Sequence, residues 1–243
     1  IIFRSADDLD SGKDPYVEKF EKADIKCQVI PVLNFEFINL NELKSKLSKS
    51  EQYSGIIFSS PRCVQALSMA TDDISKWKNH RIFVIGEKTA KIVETELGLQ
   101  TEGSFSGNAK VLADYVLKQN ITKPILLPHG NLGRDVLSKT LTDGGFKVDQ
   151  IIVYKTLADP NIESNIKEAF DKRSVRYILY FSPSAVDITF PIFTKLGINL
   201  NNIKWAAIGP TTENELLKHS VQVPIVAESP TPEHFAIALE RCL

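Results

Sequence analysis

Short apolar runs recur along the chain, and each is followed by residues with the spacing of an amphipathic helix. Runs such as Ile56-Ile57-Phe58 and Ile178-Leu179-Tyr180-Phe181 are apolar at every position, as in strands that helices cover on both faces. Strands alternating with helices predict an α/β architecture with parallel sheets. The predicted strands lie near residues 1–4, 25–32, 55–59, 81–86, 99–102, 124–128, 147–154, 175–182, 203–209 and 222–227.

The two halves of the chain resemble each other. Phe83-Val84-Ile85-Gly86 matches Ala206-Ala207-Ile208-Gly209, about half the chain further on. A period of this length indicates two copies of a five-stranded unit. The strands pair either within each half, or in an exchanged arrangement that joins the two chain ends. The exchanged arrangement needs two connectors, near 31–37 and 154–160, where Pro occurs and helical spacing is absent. The pattern leaves both arrangements open.

Composition excludes several classes of function. The 243 residues carry 29 Lys and Arg against 30 Asp and Glu, so the basic surplus that nucleic-acid binding requires is missing. No apolar run approaches the ~20 residues of a membrane span. Cys27, Cys63 and Cys242 form no paired motif, which predicts neither disulfides nor zinc and fits a reducing compartment. With no signal peptide at Ile1, we expect a cytoplasmic protein.

Hydroxyls, glycines and prolines follow many of the predicted strands. Ligands of open parallel sheets bind beyond the carboxyl ends of the strands, where helix N-termini point. Each motif alone fits ordinary helix capping, but several N-termini together offer free N–H groups that favour a polyanion. The candidate binding residues are Ser59, Ser60, Arg62, Gly86, Lys88, Asn108, His129, Gly130, Ser182, Ser184, Thr211 and Thr212.

The common catalytic motifs are absent from the sequence. It has no GxGxxG, GxxxxGK[ST], HExxH or GxSxG, and its four histidines lack metal-ligand spacing. The sequence therefore indicates neither a dinucleotide-binding site nor a metal site. Tyr154 alternates with Ile152 and Thr156 in an extended segment. It is either an aromatic residue over a core edge or a phenol, protonated at neutral pH, that donates a hydrogen bond or a proton.

Seven motifs follow one another along nearly the whole chain. They are Ser59-Ser60-Pro61-Arg62, Gly107-Asn108-Ala109, Pro128-His129-Gly130-Asn131-Leu132, Tyr154-Lys155-Thr156, Phe181-Ser182-Pro183-Ser184, Ala206-Ala207-Ile208-Gly209-Pro210-Thr211-Thr212 and Ala227-Glu228-Ser229-Pro230-Thr231-Pro232. With these motifs and the opening Asp14-Pro15-Tyr16, the chain resembles the uroporphyrinogen-III synthase family in its animal-type form.

This resemblance implies the exchanged arrangement. It predicts two flavodoxin-like domains with parallel five-stranded sheets, joined by a two-segment connector. One domain would be discontinuous, residues 1–33 with 156–243, and the other would be the contiguous segment 34–155. The implied reaction, in the cleft between the domains, belongs to haem and porphyrin biosynthesis. Hydroxymethylbilane, a linear tetrapyrrole, loses its terminal hydroxyl as water, its last pyrrole ring is inverted, and the macrocycle closes as uroporphyrinogen III.

The resemblance also implies roles for the candidate residues. Tyr154 is expected to donate a proton to the departing hydroxyl of this cofactor-free hydro-lyase reaction. The residues expected to hold substrate carboxylates are Thr211, Thr212, Ser60, Arg62 and Ser182. Hydroxymethylbilane is the only partner predicted, and a monomer is expected. The alternatives are a two-domain anion-binding protein without catalysis, and a nucleotide-dependent oxidoreductase, which would need a glycine-rich loop.

Overall fold

The computed structural model describes residues 1–5, 14–132, 136–172 and 174–241. The chain folds into two compact units that interleave along the sequence. Unit 1 comprises Ile1–Asn34 and Leu157–Leu243, and unit 2 comprises Phe35–Thr156. The strands of the described ranges are β1 (Ile2–Ser5), β2 (Val29–Phe37), β3 (Gly55–Phe58), β4 (Arg81–Val84), β5 (Ile125–Gly130), β6 (Val148–Ala158), β7 (Tyr177–Tyr180), β8 (Lys204–Ala207) and β9 (Ile225–Val226).

Helices follow nearly every strand. They are α1 (Pro15–Lys22), α2 (Leu40–Leu47), α3 (Pro61–Ala70), α4 (Glu87–Ile92), α5 (Ala109–Val116), α6 (Val136–Asp143), α7 (Ile162–Lys172), α8 (Pro183–Leu196), α9 (Pro210–Lys218) and α10 (Pro232–Glu240). In α3, α8, α9 and α10, Pro occupies the first helical position, where its missing N–H costs no hydrogen bond. Among the described residues, no helix is both long and apolar enough to cross a bilayer.

The strands follow the order β4-β3-β5-β6-β2-β1-β7-β8-β9 in one sheet. The pairs β3–β4, β5–β6 and β7–β8 are all parallel, so the predicted parallel α/β architecture is confirmed. The expectation of two five-stranded sheets is not confirmed, because the hydrogen-bonded order contains nine strands in one sheet.

The two predicted connectors are strands. Residues 31–37 lie within β2 and residues 154–158 within β6, and these strands are 9 and 11 residues long. Alternating Val, Leu and Phe favour an extended backbone in β2, and a sheet register shift beside Pro31 accommodates its missing N–H. Asp159 N–H donates to the Val32 carbonyl at 2.9 Å in unit 1, and Ile38 N–H donates to the Val153 carbonyl at 2.9 Å in unit 2.

The strand predicted at 99–102 is reduced to a single bridge. Glu102 pairs in parallel with Phe83 of β4, and no longer strand forms at this described position. Gly98 and Gly103 flank the segment with φ of 62° and 83°, and these left-handed conformations end the extended backbone on both sides.

Each unit buries apolar side chains on both faces of its strands. In unit 1, Ile2 belongs to a core cluster with Phe20 and Phe235, while its neighbour Phe3 belongs to another with Tyr180 and Trp205. Successive strand residues point to opposite faces, which explains the continuous apolar runs. In unit 2, Ile56 and Ile57 divide in the same way between two clusters.

Glu102 forms an ion pair with Arg81 at the edge of unit 2. Arg81 Nε donates to Glu102 Oε1 at 2.9 Å, and Tyr115 donates to Glu102 Oε2 at 3.0 Å. The hydrogen bond from Arg81 is the largest cause that holds the pKa of Glu102 below its usual value. The ionised carboxylate is therefore favoured in the folded protein.

We expect Glu102→Gln to flatten the acid dependence of stability. Because the folded pKa is lowered, the stabilisation is present above the unfolded value of about 4.3 and is lost as the pH falls through the folded pKa. The pair is partly exposed, so its contribution at pH 7 should be about 1 kcal/mol at most. Urea unfolding between about pH 7 and pH 3 measures this, with exposed Glu51→Gln as the control. An unchanged pH slope in Glu102→Gln would contradict it.

Candidate active site

A cavity of about 250 Å³ opens in unit 2 beyond the carboxyl ends of β3 and β5. Parallel strands end at one edge of a sheet, so residues distant in sequence meet there. The cavity lies beside Tyr154 of β6, whose ring is half-buried. Its lining consists of Ser59, Ser60, Ile85, Ala109, Leu127, His129, Gly130, Leu137, Ser138, Gln150 and Tyr154. Five candidate residues named from the sequence therefore lie around one space: Ser59, Ser60, His129, Gly130 and Tyr154.

A chain of hydrogen bonds leads inward from the Tyr154 phenol. Tyr154 Oη lies 3.3 Å from Ser60 Oγ, and Ser60 Oγ lies 3.4 Å from Cys63 Sγ. The Cys63 thiol donates to the Pro128 carbonyl at 3.2 Å. Burial raises the pKa of this thiol, so it stays protonated. Because its proton is engaged by Pro128, its sulfur accepts from Ser60, which leaves the Ser60 oxygen to accept from Tyr154.

Ser60 does not cap its helix. It precedes Pro61 of α3, but its hydroxyl makes no hydrogen bond to the helix N–H groups. In unit 1, Ser182 occupies the equivalent position and does cap α8, since its Oγ accepts from Ala185 N–H at 3.3 Å. The capping alternative therefore holds for Ser182 and fails for Ser60, whose hydroxyl is directed to Tyr154 and Cys63.

Arg62 reaches the aromatic surroundings of Tyr154 through Phe35. The Arg62 guanidinium carbon lies 3.4 Å from the centre of the Phe35 ring, a cation–π geometry. Phe35 in turn meets the Tyr154 ring edge to face, with ring centres 6.2 Å apart. Arg62 is thus a half-buried positive charge in the same part of unit 2, although it does not line the cavity.

The remaining candidates of unit 2 lie outside the cavity lining. Gly86 is the N-cap residue of α4 with φ of 79°, and Lys88 of that helix is exposed. Asn108 caps α5, because its side chain accepts from Val111 N–H at 3.1 Å. Ile85 and Ala109 do line the cavity, so the starts of α4 and α5 approach it.

The candidates of unit 1 lie beyond the carboxyl ends of β7 and β8. Ser182 and Ser184 are hydrogen-bonded to each other at 3.0 Å between hydroxyl oxygens. Thr211 and Thr212 are the second and third residues of α9. Thr211 is exposed and Thr212 is buried, so only the Thr211 hydroxyl is open to solvent.

Sequence reasoning missed the roles of Phe35 and Cys63 at the site. Nothing in their spacing identifies them, because both act through contacts between separate strands and helices. It also missed a surface cluster of unit 1, in which Asp187, Glu215 and His219 bring one potential metal-ligand atom each within 4.8 Å. The spacing of Glu215 and His219, one helical turn apart, was the available signal. Glu215 is already paired with Lys218 at 2.7 Å. Cys242 lies outside the described residues.

These features define a parallel α/β protein with a tyrosine-containing cavity beyond the carboxyl ends of its strands. Residues 14–236 match the family model of "Uroporphyrinogen-III synthase HemD". The uroporphyrinogen-III synthase of Schizosaccharomyces pombe is 31% identical over 93% of this chain and 91% of its own length. That of Saccharomyces cerevisiae is 25% identical over 76% and 74%. The chain belongs to the uroporphyrinogen-III synthase family.

Solved structures agree in fold. A mutant uroporphyrinogen III synthase from Thermus thermophilus superimposes with a TM-score of 0.63 at 18% identity, over 99% of this chain and 98% of that one. The Helicobacter pylori uroporphyrinogen-III synthetase gives a TM-score of 0.65 at 16% identity, over 89% and 93%. The family assignment makes the chain an enzyme of porphyrin and haem biosynthesis, with a lyase-type cyclisation of hydroxymethylbilane as its reaction.

Proposed function

We propose that this enzyme converts hydroxymethylbilane to uroporphyrinogen III with Tyr154 as the proton donor to the departing hydroxyl. The observation that carries this proposal is the Tyr154 phenol, which stands 3.3 Å from the Ser60 hydroxyl beside a cavity beyond the strand ends. Among the described lining residues, His129 is the other titratable side chain beside Tyr154, and no carboxylate or lysine is present.

The first step breaks the bond between the terminal methylene carbon and its hydroxyl. The electron-rich pyrrole supplies the electron pair, the hydroxyl accepts the phenol proton, and water leaves. The Ser60 hydroxyl then turns and donates to the phenolate oxygen. Ring inversion and closure depend on the substrate being held in one geometry, so positioning supplies much of the catalysis.

Helix N-termini and hydroxyls are proposed to hold the substrate carboxylates. Backbone N–H groups at the starts of α3, α8 and α9 follow strand ends, and their positive dipole ends favour anions. Arg62 adds a charge near Tyr154. We assign carboxylate binding to Thr211, Ser60 and Arg62, with Thr212, Ser59, Ser182, Ser184, Gly86, Lys88, Asn108 and His129 in weaker, supporting contacts.

We further propose that the enzyme is a cytoplasmic monomer of two domains, residues 1–33 with 156–243 and residues 34–155, whose boundaries lie one residue from those of units 1 and 2. Each would be flavodoxin-like: β2-β1-β7-β8-β9 in unit 1 follows the order 2-1-3-4-5 of that fold. The large apolar side chains that are exposed, such as Met69, Phe105 and Leu217, stand on separate elements, which supports a monomer.

Product isomer analysis tests the reaction. Hydroxymethylbilane is generated in the assay, the protein is added, and the oxidised products are separated by chromatography into type I and type III uroporphyrin. An excess of type III over the protein-free control is expected. Only type I, as in that control, would refute the proposal and favour an anion-binding protein without catalysis.

Thr211→Ala is expected to raise KM about fivefold, the worth of about one hydrogen bond, with little change in kcat or Tm. The Thr211 hydroxyl is exposed, so its loss should affect substrate more than folding. Thr194→Ala is the matched control, since Thr194 is an exposed helix residue whose hydroxyl donates to the Phe190 carbonyl. An unchanged KM with a lower Tm would contradict substrate binding by Thr211 and would indicate a helix-capping role instead.

A further inference from the structure

The Tyr154 ring lies directly against the backbone of Gly130. A methyl group added at Gly130 would stand 2.5 Å from Tyr154 Cε2 and 2.7 Å from its hydroxyl oxygen. Real side-chain carbons do not approach other atoms so closely, so only glycine leaves room for the ring. Gly130 is absent from the residues with positive φ, which means that this requirement comes from the ring and not from the backbone conformation of Gly130.

A register shift between β5 and β6 creates this contact. The two strands pair regularly from Ile125 with Val148 to His129 with Ile152, and then Gly130 pairs with Tyr154. One residue of β6, Val153, is passed over. Such bulges redirect side chains and are frequent near active sites. Here the shift places the Tyr154 side chain beside Gly130, at the end of β5.

The backbone around Tyr154 cannot easily retreat from an added methyl group. Asn131 N–H donates to the Tyr154 carbonyl at 3.0 Å, and Thr156 N–H donates to Asn131 Oδ1 at 2.8 Å. The ring has Phe35 and Phe37 near it, with centroids at 6.2 and 6.5 Å. A methyl group at residue 130 would therefore turn the ring, and the hydroxyl would leave its place near Ser60.

We propose that Gly130 is a positioning residue that sets the place of the Tyr154 phenol. This proposal rests on the proton-donor role of Tyr154 proposed above. It replaces the expectation that Gly130 itself binds substrate. Gly130 makes the close approach possible, the register shift brings the ring to it, and Ser60 marks where the hydroxyl must lie.

The test is a kinetic double-mutant cycle on Gly130→Ala and Tyr154→Phe. Gly130→Ala alone should lower kcat roughly ten- to hundredfold with a smaller change in KM, the cost of a displaced catalytic group. In the Tyr154→Phe background the same change should lower kcat little, because no phenol remains to be displaced. Equal losses in both backgrounds, or a wild-type kcat in Gly130→Ala, would overturn the proposal. A wild-type kcat in Tyr154→Phe would instead refute the proton-donor role.

Gly144→Ala is the matched control. A methyl group there meets the Leu117 side chain, in the same unit but away from the cavity lining, and kcat should be unchanged. If Gly130→Ala does not fold, thermal unfolding in the Tyr154→Ala background decides. Removing the ring should restore folding if the ring is the obstacle. Failure of Gly130→Ala to fold in that background as well would refute the contact that the proposal requires.

Discussion

Tyr154→Phe is expected to lower kcat for type III uroporphyrinogen formation by about a hundredfold or more, the usual contribution of a general acid. The substitution removes one oxygen and keeps the ring, which still meets Phe35 edge to face. Ser60 retains its contact with Cys63 at 3.4 Å, so folding should be nearly unaffected. Type I product should rise, because unreacted hydroxymethylbilane closes without ring inversion in solution.

Tyr53→Phe provides the control for loss of a phenol. Tyr53 donates to Asp149 Oδ2 at 2.6 Å in the same unit. Burial, followed by the hydrogen bond to Asp149, raises the pKa of Tyr53, so its phenol is a structural donor. Its removal should lower the free energy of unfolding by about 1 kcal/mol and leave kcat unchanged. Measurement of kcat and of urea unfolding for both variants separates the two roles. A Tyr154→Phe enzyme with nearly full kcat would end the proton-donor proposal.

The sequence predicts the elements of the fold better than their connection. Apolar runs such as Ile56-Ile57-Phe58 identify strands because burial on both faces leaves no polar position. The continuous sheet was missed because Pro31 and a polar stretch after Tyr154 resemble linkers. Both segments are strands held by backbone hydrogen bonds, which side-chain pattern does not encode. Likewise, the strand predicted at 99–102 is reduced to one bridge at Glu102, because Gly98 and Gly103 adopt left-handed conformations on either side of it.

For the candidate site, the sequence likewise predicts which residues lie there better than what each of them does. Position after a strand end was sufficient to select Ser59, Ser60, His129 and Gly130. What each does depends on distances that the sequence does not contain. Ser60 and Ser182 are equivalent in the internal repeat, yet only Ser182 caps its helix. Gly130 was selected as a ligand contact, and the structure adds the close approach of the Tyr154 ring to its backbone.

Asp14→Ala is expected to cause the largest loss of stability, about 4 kcal/mol. Asp14 is 5% exposed, and its carboxylate meets Arg4 Nη1 at 2.6 Å. Breaking a buried ion pair of this kind costs about 3–5 kcal/mol. The same carboxylate caps α1, since Oδ1 accepts from Tyr16 N–H at 2.8 Å. Loss of a cap costs about 1 kcal/mol.

The effect should extend beyond α1, because Tyr16 donates to the Pro230 carbonyl at 2.9 Å and so ties the helix to the segment before α10. Asp14→Asn keeps a cap acceptor and loses the charge, so it should fall between wild type and Asp14→Ala. Asp73→Ala is the control, because exposed Asp73 accepts from Ser75 N–H at 2.8 Å and its loss should cost about 1 kcal/mol or less. Calorimetry should place Tm of Asp14→Ala about 10 °C lower. A decrease in Tm no larger than that of Asp73→Ala would contradict the prediction. It would mean that water solvates Arg4 as well as the Asp14 carboxylate does.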